Sequence, residues 1–325
     1  MFKNKSIKLF IKFTLGALLF SWLFYSLFIQ ISKQENLTQT ISEIFTTWGT
    51  FKIALLILVI ALMIVNWSIE ALKWKLLLKQ TEEISFIKAL QSTLTGVAVS
   101  IITPNRIGEY FGRILYLKNK NKIKGISITI TGSFAQFIVA GAFGVFGLCF
   151  YLFFITSNWW LITVLCISIL IIILLLYVIF NLKVLLNFIE KIPYLRRLKV
   201  YIEVVSRFDR KVLKKIILLS ALRYLVYSTQ FYLLLCLTHN SLLSISIIPI
   251  IQLIFWVMAI IPSVAIADLG VRGEAAIYFL SSFSTLTNPI AILLSTTLLW
   301  IINLILPALI GCFFVFKMKL FDDDE

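Results

Sequence analysis

Apolar residues run in blocks long enough to span a bilayer, and the polar residues gather between the blocks. The blocks cover residues 7–31, 51–69, 125–155, 159–180, 216–237 and 289–316. A hydrocarbon core takes roughly 20 apolar residues in a helix, so each block predicts a transmembrane helix. Two further apolar stretches, 86–102 and 245–261, stop at Pro104 and Pro262. Proline removes a backbone donor and collides with the preceding turn, so both predict discontinuous helices.

The charges between the blocks orient them. Lys3, Lys5, Lys8 and Lys12 place the N-terminus in the cytoplasm, and the nearly neutral 32–50 connection lies outside. Lys73, Lys75, Lys79 and Lys88 mark the next connection as inside. Arg106, Arg113, Lys118, Lys120, Lys122 and Lys124 mark the stretch after Pro104 as inside again. Residues 86–117 therefore leave the cytoplasmic face and return to it, as a re-entrant hairpin does. In the second half, the 238–244 connection is uncharged and outside, and Lys317 and Lys319 place the C-terminus inside. Residues 245–287 then form a second re-entrant element of opposite sense. The predicted fold is an all-α polytopic membrane protein with six full spans and two oppositely oriented re-entrant hairpins. It forms an inverted repeat of two membrane halves, 1–156 and 157–325.

Composition narrows the class. The 325 residues are 60% hydrophobic and 14% charged, against about a quarter charged in a soluble domain. A net charge of +15 would suit nucleic acid, but the basic residues lie in the connections. Their expected counter-surface is anionic lipid at the cytoplasmic loops, with no nucleic acid. Residues 183–215 mix apolar and basic positions and read as amphipathic helix on the cytoplasmic leaflet. The basic start resembles a signal peptide, yet its apolar run is too long and no small-residue cleavage site follows. It is kept as the first span. Cys149, Cys166, Cys236 and Cys312 are isolated, and His239 is the one histidine. No metal centre and no cofactor are expected from them.

Two polar runs interrupt the apolar pattern: Thr103-Pro104-Asn105-Arg106-Ile107-Gly108-Glu109 and Asp268-Leu269-Gly270-Val271-Arg272-Gly273-Glu274. A charge in the bilayer interior is costly and normally faces a cavity or a partner. Thr103 with Pro104 is a helix start, Thr as the cap and Pro in the first position. A helix beginning inside the membrane offers unpaired N–H groups to an anion. Arg106 and Arg113 add charge with a fork suited to phosphate, and Gly108 and Gly112 permit close helix approach. Glu109 has Arg106 and Arg113 within helical reach. In the second run Asp268 is a cap for the helix carrying Gly270, Arg272 and Glu274. The candidate substrate-binding set is therefore Thr103, Pro104, Asn105, Arg106, Gly108, Glu109, Arg113, Pro262, Asp268, Gly270, Arg272 and Glu274. The bland alternative is a pair of internally neutralised caps that lock the hairpins. Arg223, Glu70 and Lys73 are accessory candidates. Arg223 is also explained by snorkelling to the inner face, and the Glu70–Lys73 pair by an interfacial position. Gln136, Gln252 and Asn303 read as helix-contact amides.

At these residues the chain resembles the integral-membrane, flippase-like domain of lysylphosphatidylglycerol synthase, which also occurs as stand-alone bacterial proteins. The matching elements are Ala71-Leu72-Lys73-Trp74, the Thr103–Glu109 run, and Pro262 with Gly270-Val271-Arg272-Gly273-Glu274. The resemblance implies translocation of an aminoacylated or otherwise modified lipid in the bacterial inner membrane. Two-domain members also carry a soluble aminoacyl transferase domain. Only nine residues follow Phe316, so synthase activity is not expected here. The 262–267 segment, Pro-Ser-Val-Ala-Ile-Ala, is less glycine-rich than the family's second motif.

The expected function is a lipid transporter in which Arg106, Arg113 and Arg272 hold a headgroup phosphate. Glu109, Glu274 and Asp268 balance those arginines or receive an amine. No G-x-x-x-x-G-K-[ST] loop occurs, so ATP hydrolysis by this chain is not expected. Two alternatives stand beside it: a membrane-embedded lipid-modifying transferase, and a non-catalytic partner of an envelope-lipid enzyme. A second copy of the chain is also left open as a partner.

Overall fold

The computed structural model describes residues 49–317 and Ser42, apart from 102, 104–105, 157, 183–185, 187–198, 207, 240, 262–264 and 284–287. The expected first span, the Asn105 and Pro262 positions, and about half of the 183–215 connection lie outside the described residues.

The described chain is helical. Its long helices are α1 (Thr50–Leu78), α4 (Lys122–Phe154), α5 (Trp159–Phe180) and α7 (Arg210–Thr238). Shorter helices fill the intervals: α2 (Phe86–Ser100) and α3 (Gly108–Ile114), α6 (Lys199–Ser206), and α8 (Ile247–Ile260) with α9 (Ala265–Leu280). The closing span comprises α10 (Pro289–Trp300), a π-helical segment (Ile301–Ile305) and α11 (Leu306–Lys317). Among the described residues, five such helices are long and apolar enough to cross a membrane. The protein is a multi-pass membrane protein.

Burial follows helical period. In α1 the buried positions Leu55, Val59, Met63, Asn66, Glu70, Lys73 and Leu77 recur every three to four residues, a single stripe facing the protein. Glu70 and Lys73 lie on that stripe, so α1 continues nine residues beyond the apolar block that ends at Ile69. By contrast α5 buries only Ser168, Ile172 and Ile179 and leaves Leu170, Ile173 and Leu174 exposed. Apolar side chains without a protein neighbour suit a hydrocarbon solvent.

Both interrupted stretches fold as helix pairs. Ser85 accepts a hydrogen bond from Lys88 N and starts α2. Thr103 caps the other arm: its Oγ1 accepts from Gly108 N at 2.7 Å. The helix expected to start at Pro104 begins instead at Gly108. The arms run antiparallel and nearly touch. A Cβ on Gly112 would lie 2.5 Å from Gly96 Cα, and one on Gly108 would lie 2.3 Å from Val99 O. No other residue permits that approach.

Each pair packs on a long helix remote from it in the chain. The first arm, α2, packs on α11, where a Cβ on Gly311 would lie 2.0 Å from Leu94 O. Its counterpart α8 packs on α4, where a Cβ on Gly144 would lie 2.1 Å from Trp256 Cβ. Between them α1 and α7 cross as a central pair, joined by Gln230 Nε2 donating to Val59 O at 2.9 Å.

Candidate functional site

The central pair carries a buried charge cluster. Glu70, 3% exposed, is approached by three cations: Lys73 Nζ at 2.7 Å, Arg113 Nη2 at 2.8 Å and Arg223 Nη1 at 2.9 Å. Arg113 also pairs with Glu109 one turn before it on α3. Its guanidinium lies over the Trp74 ring at 5.5 Å, and its backbone carbonyl accepts from Ser92, which in turn accepts from Trp74. Three helices, α1, α3 and α7, thus meet at one carboxylate, and Ser92 ties α2 to the Arg113 backbone. Glu70 and Lys73, expected near the interface, are both buried against protein, because the α1 stripe turns them inward. An unpaired charge there would be far costlier than the paired one.

Arg223 extends the network away from Glu70. Its Nε donates to Asn66 Oδ1 at 3.0 Å, and Asn66 Nδ2 donates to Asn303 Oδ1 at 3.0 Å. Its guanidinium stands 5.1 Å from the Trp67 ring centre. Snorkelling is therefore corrected; Arg223 is held by acid, amide and ring. Asn303 sits in the π-helical segment, where an extra residue in the turn re-aims side chains and often marks a functional site. Asn66, Arg223 and Asn303 lie within two residues of the midpoints (residues 64, 224 and 303) of α1, α7 and the 289–317 span. The polar layer lies halfway along its helices.

Beside this layer opens a cavity of about 510 Å³, within the size range of small-molecule sites. Three arginines line it: Arg106 from the turn between α2 and α3, Arg223 from α7, and Arg272 from α9. Both helix pairs and the central pair thus contribute a cation. Arg272 Nη1 donates to the Tyr227 hydroxyl. Arg106 has φ 57°, the one positive value at a non-glycine among the described residues. A left-handed arginine costs roughly 1–3 kcal/mol and persists where the surroundings dictate it. The rest of the wall is aromatic (Trp67, Tyr224, Tyr227, Phe255 and Trp300), amide (Asn66, Gln136 and Asn303) and aliphatic, the last mostly from residues 258–261 at the end of α8.

The sequence-derived candidates divide between these two layers. Arg106, Arg223 and Arg272 meet at the cavity. Arg113, Glu109, Glu70 and Lys73 form the cluster behind it. Thr103 and Gly108 shape the turn that presents Arg106. Glu274 is exposed and does not line the cavity. Asp268 and Gly270 lie on α9, with side chains outside the described residues, as Pro104, Asn105 and Pro262 are altogether. Sequence reasoning missed Trp67, Tyr227 and Trp300 as wall residues. The available signal was the α1 stripe, which puts Trp67 on the face of Glu70. Among the described residues no three His, Cys, Asp or Glu side chains gather as a metal site.

No curated protein matches the chain. The family model described as the lysylphosphatidylglycerol synthase transmembrane region does match, over residues 9–311. With nearly the whole chain matched, the protein belongs to the lysylphosphatidylglycerol synthase transmembrane-region family.

Proposed function

We propose that the chain passes a lipid with an anionic headgroup between the leaflets of the bacterial inner membrane, without changing it chemically. The observation that carries this reading is a cavity with three arginines on its wall, one of them, Arg223, halfway along a membrane-length helix. Arginine's planar fork matches phosphate oxygens, and a cation layer at that depth serves a polar cargo. Family membership favours the same reading.

The packing of each helix pair on the opposite half supports an inverted repeat with two re-entrant hairpins. In such transporters the site lies at the repeat interface near the midplane, and alternating access comes from one unit rocking against the other. Headgroup phosphate binds Arg106, Arg223 and Arg272, while the acyl chains stay in hydrocarbon. Both termini are placed in the cytoplasm, and the chain works as a transporter rather than an enzyme.

A leaflet-resolved assay tests this. In proteoliposomes carrying acyl-labelled phosphatidylglycerol, the wild-type protein exposes inner-leaflet label to an external quencher. Arg106→Ala and Arg272→Ala, reconstituted in equal amount, abolish that exposure. Wild-type rates from both variants, or a chemically altered lipid, contradict the proposal. Cysteines at Asn105 and Ala267, in a background without native thiols, react from opposite faces; reaction from one face removes the inverted hairpins.

A further inference from the structure

Of the three cations around Glu70, one is shared with the cavity. Lys73 and Arg113 keep 2% and 3% of their side-chain surface exposed, whereas Arg223 keeps 20% and lines the cavity. The carboxylate oxygens divide these partners unevenly. Oε1 meets Arg113 Nη2 at 2.8 Å, while Oε2 is shared by Lys73 Nζ at 2.7 Å and Arg223 Nη1 at 2.9 Å. Withdrawing Arg223 therefore leaves a cation on each oxygen. Breaking a buried ion pair is costly when it strands a charge, and here the acid is not stranded.

Arg223 is also anchored apart from Glu70. Its Nε donates to Asn66 Oδ1 at 3.0 Å, Asn66 is bonded to Asn303, and the Trp67 ring centre lies 5.1 Å from the guanidinium. Amide and ring keep the guanidinium beside the cavity whichever anion its amino group meets. A phosphate oxygen suits that group as well as a carboxylate oxygen does. One anion in the protein and one in the cargo thus compete for a single donor.

We infer that Glu70 is a positioning residue acting through Arg223: it holds the guanidinium while the cavity is empty, yields it to an entering headgroup phosphate, and takes it back to release the lipid. This inference rests on the proposed transport site and describes how that site lets go of its cargo. Arginines without a competing acid would hold phosphate longer, and release limits the rate of many such cycles. Lys73 acts from the other side: by occupying Oε2 it loosens the grip of Glu70 on Arg223.

Titration of the purified protein with dihexanoyl phosphatidylglycerol, below its micelle-forming concentration, tests this together with transport in proteoliposomes. Glu70→Gln binds about tenfold more tightly than wild type and moves lipid more slowly, so KM and kcat fall together. A merely structural acid would lower kcat without tightening binding. Lys73→Met leaves Oε2 to Arg223 alone and weakens binding about fivefold; it decides the matter should Glu70→Gln not fold. In an Arg223→Gln background, where affinity is already reduced, both changes shift binding by less than about twofold. Undiminished effects in that background would come from the lost charge alone and overturn the hand-over. So would a folded Glu70→Gln that binds no more tightly, or a Lys73→Met that binds no more weakly. If that happens while wild-type protein still moves lipid, the role of Glu70 falls and the transport reading stands. If wild-type protein neither binds nor moves lipid, both fall.

Discussion

The two helix pairs differ in how their arginines and glycines are packed. In the first, Arg113 is 3% exposed, shared between Glu70 and Glu109, and roofed by Trp74. Its arms close at backbone contact through Gly96, Gly108 and Gly112. In the second, Arg272 lines the cavity and donates to the Tyr227 hydroxyl on α7. There Gly273 abuts the Leu293 methyl end rather than a backbone. Buried ion pairs cost a great deal to break, whereas a hydrogen bond beside a wet cavity exchanges readily with water. The first pair is thus a fixed wall fused to the central helices. The second meets a flexible side chain at its glycine, which leaves it more room to shift.

The contrast breaks most visibly at Glu70. Glu70→Ala leaves Lys73, Arg113 and Arg223 buried without their shared acid, and costs about 3–5 kcal/mol. Thermal unfolding in detergent reads this; an unchanged midpoint would deny the fixed wall. Next, Gly112→Ala drives a Cβ into backbone and costs about 1–3 kcal/mol. The matching change Gly273→Ala meets only a flexible side chain and stays within about 1 kcal/mol, part of it returned as helix propensity. Equal losses would erase the difference between the pairs. Tyr227→Phe releases Arg272 at a cost of about 0.5–1.5 kcal/mol, yet alters transport rate in the proteoliposome assay. Smallest in stability, and opposite in sign, Arg106→Gly relieves the left-handed backbone and gains about 1 kcal/mol while losing lipid binding. A destabilised Arg106→Gly would mean that the turn is not strained.

Local features of this fold were legible in the sequence, and contacts across it were not. The 159–180 block returns as α5 with the same limits, because a continuous apolar run needs no tertiary partner to be helical in lipid. The breaks beside Pro104 and Pro262 foretell the helix pairs, since proline acts on its own backbone. Thr103 was readable as a cap, though the N–H that donates to it is five residues on, at Gly108 rather than within the usual first turn. Arg106 and Arg272 stand out because charge in apolar sequence needs a reason. What hid was the Glu70 cluster. Its partners Arg113 and Arg223 are 43 and 153 residues away, and spacing along one helix says nothing of which helices meet. The same holds for Asn66 and Asn303, 237 residues apart. Only the α1 stripe hinted that Glu70 and Lys73 face inward.

A structure of the protein in a lipid nanodisc containing phosphatidylglycerol bears on the central claim most directly. The account predicts phosphate density in the cavity within hydrogen-bonding reach of Arg106, Arg223 and Arg272, with the acyl chains leading outward. An acyl chain filling that cavity, with every headgroup left at the membrane surface, would contradict it.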